Sequence, residues 1–299
     1  MKVFVVGSIN MDLVIRADRM PQSGETIRGA GFMTNPGGKG VNQAVALAKL
    51  GAEVYMVGGV GNSFGEELVN TLQDYGVNTE FVCRYKDVSS GIAVIVVANG
   101  DNRIILDSGA NGKVDMALVD EALQKAEPGD YLVAQLEIGL DTVQYAMTRA
   151  KELGMVTVLN PAPASKLSER VLASCDYFMP NQTEAEFYTG IYPCDESSAH
   201  RCAAELAEKG VRNVVITMGE EGSVGVFDGA FVKVFATKTN AVDTTAAGDT
   251  YVGAFVTKLS EGETLETAMQ FASKASAITV TRSGAQRSIP FRREVDPLC

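Results

Sequence analysis

Val242-Asp243-Thr244-Thr245-Ala246-Ala247-Gly248-Asp249-Thr250 runs small residues into a lone carboxylate, and Tyr251-Val252-Gly253-Ala254-Phe255-Val256 follows as an apolar stretch that reads as a buried helix. This order suits an anion held on a helix N-terminus, because the first N–H groups of a helix lack intrahelical partners and point at whatever sits there. Ala246, Ala247 and Gly248 leave the backbone bare enough for a phosphate to approach. Asp249 then stands beside the anion, where a carboxylate takes a proton from an attacking hydroxyl. The same segment reads equally well as an ordinary core-helix start capped by Thr244, Thr245 or Asp249.

Around this helix, β-rich runs alternate with helical ones. Strands are expected at 3–7, 53–57, 131–136, 156–160, 177–180 and 213–218. Helices are expected at 40–50, 64–74, 116–126, 140–153, 184–189, 197–209, 248–259 and 264–281. Alternation at this pitch predicts an α/β fold, a mostly parallel sheet with helices on both faces. A separate antiparallel part is expected at 13–16, 25–33, 92–98 and 103–108, the last two flanking the hairpin signal Asn99-Gly100-Asp101-Asn102. There is no internal repeat or long linker, so 1–299 is read as one unit.

A second glycine-rich turn, Asn35-Pro36-Gly37-Gly38-Lys39-Gly40-Val41-Asn42-Gln43-Ala44, opens the first helix. It is not a P-loop: Met33 stands where the first Gly belongs, and Gly40 replaces the Ser/Thr. Gly59-Val60-Gly61-Asn62-Ser63-Phe64-Gly65 is one residue too long for a dinucleotide fingerprint, and no acidic residue ends a second strand about 20 residues on, which weighs against a nicotinamide-dependent oxidoreductase. Asn10 and Asp12, two apart at the end of the first expected strand, can face one cleft and bind hydroxyls, or serve a turn. Glu137 ends another strand on the edge where parallel sheets bind ligands. Asn181 and Glu184 have the spacing of a capping box. Gly219, after Thr217 and Met218, is a turn residue or a ligand contact.

The formal charge of -11 and the lack of a basic run disfavour nucleic acid or anionic membrane as partners. Five cysteines without a C-x-x-C pair argue against a disulfide framework or a thiolate metal site and fit a reducing compartment. His200 is the only histidine and lies in a polar helical stretch, so His-dependent triads and zinc sites are excluded. The N-terminus enters a strand directly, and no apolar run reaches about 18 residues, so a cytoplasmic protein without a membrane span is expected.

Taken together with Gly7-Ser8-Ile9-Asn10-Met11-Asp12, Gln135-Leu136-Glu137, Asn160-Pro161-Ala162-Pro163-Ala164, Pro180-Asn181-Gln182-Thr183-Glu184 and Thr281-Arg282-Ser283-Gly284-Ala285-Gln286, the two glycine-rich segments resemble the ribokinase branch of the PfkB-type carbohydrate kinases. The resemblance spans residues 3 to about 290. It implies a ribokinase-like fold, with the separate strands (within about 13–34 and 92–108) forming a small β lid over the sugar and helping to make a homodimer. It implies ATP-dependent phosphorylation of a sugar, D-ribose at O5 first, with 2-deoxyribose, fructose or a nucleoside as alternative acceptors. A sugar-binding regulator is the non-enzymatic alternative, against which the intact Asp249 and anion turn argue.

The resemblance also distributes roles. Asn10, Asp12, Gly38, Lys39, Asn42 and Glu137 would contact the sugar. Asp249 would be the base, with the N–H groups of Ala246 to Asp249 holding the transferring phosphoryl. Asn181, Thr217, Gly219, Gly222, Gly248 and Ser273 would line the nucleotide. Glu184 would reach Mg²⁺ through water. Asp243, Thr245, Thr279, Arg282, Gly284 and Ser288 would hold K⁺, mostly by main-chain carbonyls. Three departures stand out: Ala246 replaces the usual first Gly, Tyr251-Val252-Gly253 replaces Phe-Asn-Gly, and Ser273 stands where some ribokinases carry His.

Overall fold

Val3 to Val6 are fully buried, with Val3 and Val5 packed in one layer and Phe4 and Val6 in the other. That alternation makes β1 (Lys2–Val6) the middle of a sheet covered on both faces. The computed structural model describes residues 1–99, 101–227 and 229–298. After β1 come β2 (Asn10–Arg16), β3 (Ala30–Gly37), α1 (Lys39–Lys49), β4 (Glu53–Val60), α2 (Gly65–Asp74), β5 (Asn78–Arg84), β6 (Gly91–Ala98) and β7 (Asp101–Asp107). Next are α3 (Met116–Leu123), β8 (Tyr131–Ala134), α4 (Leu140–Glu152), β9 (Val156–Leu159), α5 (Glu169–Ala173), β10 (Tyr177–Phe178), α6 (Gln182–Thr189) and α7 (Glu196–Glu208). The chain ends with β11 (Asn213–Thr217), β12 (Ser223–Phe227), β13 (Ala230–Val234), α8 (Ala247–Ser260), α9 (Leu265–Val280) and α10 (Arg292–Val295).

Nine strands form the main sheet in the order β13-β12-β11-β10-β9-β8-β1-β4-β5. Pairing is parallel from β11 to β5, and β12 and β13 add an antiparallel edge. One face packs against α1, α2, α8 and α9 around Phe255 and Phe271, and the other against α3, α4, α5 and α7 around Phe4 and Phe178. Every strand and helix expected for this α/β fold is present, with ends shifted by a few residues at most. β5, β12, β13 and the short helices α5 and α10 were not legible: β5 starts with the polar Asn78, Thr79 and Glu80, β12 carries Ser223 and Gly225 and β13 is a five-residue edge strand, and α5 and α10 have only five and four residues.

A second sheet has the order β3-β2-β6-β7. Its outer pairs are antiparallel, as expected, but the central pair β2–β6 is parallel. The strand expected at 25–33 instead spans Ala30–Gly37 and leads directly into α1. Glu25 is taken out of the sheet by Arg19 and by the backbone N–H of Gln22, which close a turn before it. β6 and β7 form the expected hairpin, although Gly100 in its turn lies outside the described residues, as does Cys299.

α1 and α8 lie against each other because Gly253 has no side chain. A Cβ there would sit 2.6 Å from the Ala46 Cβ and 3.1 Å from the Leu47 nitrogen. This close packing brings the N-termini of both helices, and with them both glycine-rich turns, to the carboxyl edge of the sheet. Among the described residues no helix is long and apolar enough to cross a membrane.

Candidate active site

α8 starts without a side-chain cap. Its N-cap residue, Ala246, is left-handed at φ 62°, and among the described residues neither Thr244, Thr245 nor Asp249 bonds to the helix start as a cap. The N–H of Ala247 bonds to Thr244 O, and that of Thr250 to Ala246 O. The N–H groups of Gly248 and Asp249 meet no protein acceptor among the described residues. A Cβ on Gly248 would touch nothing within 4 Å, so this turn is open on its outer side.

Asp249 points to α1 instead. Its Oδ2 accepts from Asn42 Nδ2 and its Oδ1 from Gln43 Nε2, each at 3.0 Å. Burial pushes its carboxyl pKa up; Lys39, Gln43 and Asn42 oppose that rise without cancelling it. Lys39 feels the converse. Burial acts against its ammonium, but the carboxylates of Asp249, Glu137 and Glu184 outweigh this and lift its pKa above the ordinary lysine value.

The expected sugar contacts converge on the same edge. Asn10 and Asp12 belong to the start of β2, not the end of β1, a correction that keeps their two-residue alternation. Asn10 Oδ1 accepts from Asn111 Nδ2 at 2.6 Å. The Asp12 carboxylate has no protein donor among the described residues, and burial, then Glu137 and Asp249, push its pKa up to about 7. Glu137 lies three residues beyond the end of β8, and its Oε2 accepts from Ser8 Oγ (2.6 Å) and the Lys39 N–H (3.0 Å). Gly38, at φ 99°, makes the turn into α1.

The nucleotide candidates follow β10 and β11. Asn181 and Glu184 form the capping box of α6: Asn181 Oδ1 accepts from the Glu184 N–H, and Glu184 Oε2 from the Asn181 N–H, both at 2.8 Å. Glu184 is also buried enough that its pKa rises, against the pull of the Asn181 N–H and Lys39. Thr217 bonds to Pro180 O, beside Asn181. Gly219 is open, whereas Gly222 is a backbone necessity: at φ 95°, a Cβ would lie 2.1 Å from Val234 O. Ser273 Oγ donates to Phe235 O.

The expected cation loop is a connected unit. Asp243 Oδ1 accepts from the Thr245 N–H and Oγ1, and Oδ2 from the Gly284 N–H. Burial acts against this carboxylate, but those donors hold its pKa below the usual value. Thr279 Oγ1 donates to Thr250 Oγ1, Ser288 Oγ to Ala285 O, and the Arg282 guanidinium pairs with Glu294. The carbonyls of Thr245, Gly284 and Ser288 accept no hydrogen bond among the described residues, so oxygens remain for a cation.

Several site residues were not singled out from the sequence. Ser8 bridges Glu137 and the Gly40 N–H. Gln43, Gln135 and Asn160 sit inside the quoted segments, so a signal was present, but their side-chain partners were not readable. Asn111, which accepts from the Ile9 N–H and donates to Asn10, carries no motif at all. His200 is exposed and stacks on Phe231 at 4.1 Å, away from this chemistry.

Residues 1–292 match the family model described as pfkB family carbohydrate kinase. The chain is 42% identical to the ribokinase of Schizosaccharomyces pombe over 98% of this chain and 96% of that protein. It is 39% identical to the deoxyribokinase of Salmonella typhi, over 97% and 96%. It superimposes on the structure of Arabidopsis thaliana ribokinase complexed with ribose and ATP with a TM-score of 0.90, at 30% identity, covering 99% of this chain and 97% of that one.

Proposed function

The chain belongs to the pfkB family of carbohydrate kinases, phosphotransferases with an alcohol acceptor, and on that premise we propose that it transfers the γ-phosphoryl group of ATP to O5 of D-ribose. One observation carries the reading: a buried Asp249 carboxylate, held on both oxygens, beside two N–H groups at the start of α8 that meet no acceptor among the described residues. Phosphoryl transfer asks the protein for in-line positioning and charge stabilisation more than covalent chemistry. Asp249 takes the proton of the attacking hydroxyl. The N–H groups of Gly248 and Asp249 receive the transferring group, with Ala246 and Ala247 shaping the turn.

In this reading Asn10, Asp12, Gly38, Lys39, Asn42 and Glu137 hold the sugar; the ribose and ATP in the Arabidopsis structure support both ligands. Asn181, Thr217, Gly219, Gly222, Gly248 and Ser273 line the nucleotide. Glu184 Oε2 accepts the capping-box bond, and Oε1 remains for a hydrated Mg²⁺. That is the donor set expected for an ion held mainly by phosphates and water. Mg²⁺, when bound, neutralises charge on the β and γ oxygens. K⁺ binds by carbonyls of the 243–245 and 279–288 loops, with Asp243 and Arg282 tying those loops down. The protein works in the cytoplasm, consistent with free Cys83, Cys175, Cys194 and Cys202. The second sheet acts as a lid and dimer interface. It exposes Val94 and Ile105, cross-strand partners on one face, and Ile104 and Leu106 on the other, apolar surface suited to a second copy.

The Salmonella deoxyribokinase favours 2-deoxyribose as the second reading. An ADP-release screen with MgATP over ribose, 2-deoxyribose, fructose, tagatose, adenosine and inosine tests the proposal. Ribose should give the highest kcat/KM; a higher value for any other acceptor overturns the assignment, and 2-deoxyribose in first place establishes the second reading.

A further inference from the structure

We propose that Gln43 is the positioning residue of Asp249, aimed by a buried chain of amides that runs through Asn160 and Gln135. The inference rests on Asp249 being the base. Gln43 is wholly buried and makes three side-chain bonds. Its Nε2 donates to Asp249 Oδ1 and to Asn160 Oδ1, each at 3.0 Å, and its Oε1 accepts from Gln135 Nε2 at 2.6 Å.

Each amide in this chain has one possible orientation. The Met179 carbonyl only accepts, so Asn160 must turn Nδ2 to it, at 2.9 Å, and Oδ1 to Gln43. That oxygen is met only if Gln43 presents its NH₂ group. The second hydrogen of the same group then falls on Asp249. Gln43 Oε1 is left facing Gln135, whose NH₂ group answers it. The strain of the chain collects at its far end. Gln135 Oε1 is buried without a donor among the described residues, wedged against Gly7, where a Cβ would lie 2.1 Å away. A buried carbonyl oxygen without a donor is costly. Turning the Gln135 amide over would set oxygen against oxygen at Gln43. The arrangement therefore sacrifices a bond at Gln135 and keeps a fixed donor on Asp249.

The donor is needed because Asp249 stands in an unfavourable field. Glu137 after β8, Glu184 on α6 and Asp12 on β2 all act on it, against the ammonium of Lys39 on α1. With Asn42 on Oδ2 and Gln43 on Oδ1, the carboxylate is held at both oxygens and its remaining lone pairs are fixed in direction.

The test compares Gln43→Met, Asn160→Ala and Asp249→Asn with the wild type, using the best sugar from the acceptor screen, in single-turnover assays so that product release does not hide the chemical step. Gln43→Met should slow phosphoryl transfer roughly ten- to a hundredfold, the loss expected for a hydrogen bond to a charged group, while the KM values for sugar and ATP stay within about threefold. The acid limb of its pH profile should move to higher pH, because a donor that favours the carboxylate is gone. Asn160→Ala touches Gln43 but not Asp249, so it should produce a smaller effect with the same direction on the acid limb. A Gln43→Met enzyme within about twofold of wild type, or with an unmoved acid limb, overturns the proposal. If that variant does not fold, an unmoved limb in Asn160→Ala overturns it instead. Asp249→Asn separates the two readings: if it keeps more than about half the rate, the base assignment itself falls. If it is inactive while Gln43→Met behaves as wild type, only the positioning role falls.

Discussion

Asp12→Asn should make the sugar-free protein more stable, increasingly so toward alkaline pH, while weakening sugar binding. The carboxylate receives no protein donor among the described residues and lies tight on Gly37, where a Cβ would be 2.3 Å from its Oδ2. Burial, Glu137 and Asp249 together carry its pKa from 3.8 to about 7. The folded value lies above the unfolded one, so stability linked to this group is intact below the unfolded pKa and is lost as pH rises through the folded pKa. Roughly three pH units separate the two values, and at about 1.36 kcal/mol each the penalty reaches a ceiling of about 4 kcal/mol above neutrality. Asp12 is partly exposed, and solvent screening and local relaxation bring the expected gain down to about 1–2 kcal/mol. In a chain of this length that raises Tm by about 2–6 °C. Thermal unfolding of both proteins without sugar, at pH steps from 5 to 8.5, reads the gain; steady-state kinetics should show a raised sugar KM with ATP KM unchanged. An equal gain at pH 5 and pH 8, or none at either, refutes the reasoning that Asp12 is a crowded carboxylate awaiting hydroxyl donors.

Asp249→Asn should lower kcat by roughly 10²–10⁴ with little change in ATP affinity, measured by coupled ADP release. Ala246→Gly should stabilise the fold by up to about 1 kcal/mol, read from the urea midpoint, because glycine adopts the left-handed φ of 62° without strain; a lower midpoint would mean that the Ala246 methyl contributes packing worth more than the strain. Gly253→Ala should destabilise by about 1–3 kcal/mol, since the new methyl meets α1 backbone that cannot move aside, and kcat should fall with it as Asn42 and Gln43 shift. Initial rates at matched ionic strength should be higher in KCl than in NaCl or tetramethylammonium chloride, and Asp243→Ala should abolish the difference by freeing Thr245 and Gly284; equal rates in all three salts would remove the cation.

What could be read from the sequence follows burial. Strands covered on both faces, such as β1, β4 and β8, are continuous apolar runs and stand out; β5 and the β12–β13 edge mix in polar residues and do not. The misplacement of Asn10 and Asp12 has the same origin. Gly7, Ser8 and Ile9 are buried like the strand before them, so the passage from one sheet to the other leaves no break in the pattern. Asn42 and Asp249 were legible because each belongs to a motif with a chemical rationale. Gln43 was printed in that motif, but its role depends on where the ends of β8 and β9 place Gln135 and Asn160, separated from it by 92 and 117 positions. Asn111 is 101 positions from the Asn10 side chain it fixes and has only spatial evidence.

Two ambiguities of the same kind were resolved in opposite directions, and the reason lies in the backbone. Asn181-x-x-Glu184 reads as a capping box or as a nucleotide contact, and the box is made. Asn181 is extended at φ -84°, so its side chain reaches the Glu184 N–H. The start of α8 reads as a cap or as an anion turn, and no cap is made. The position that would supply one is Ala246, which has no polar group and turns left-handed. Asp243 satisfies the Thr245 N–H one step earlier, and Asp249 faces α1 one turn later. The carboxylates on either side are thus committed elsewhere, which leaves the Gly248 and Asp249 N–H groups without an acceptor among the described residues. A helix start built for stability would have placed Ser, Thr or Asp at position 246, where a side-chain oxygen caps by about 1 kcal/mol. Alanine in a strained conformation there forgoes that gain, and what the fold obtains in return is an uncapped, open turn that an incoming phosphoryl group can complete.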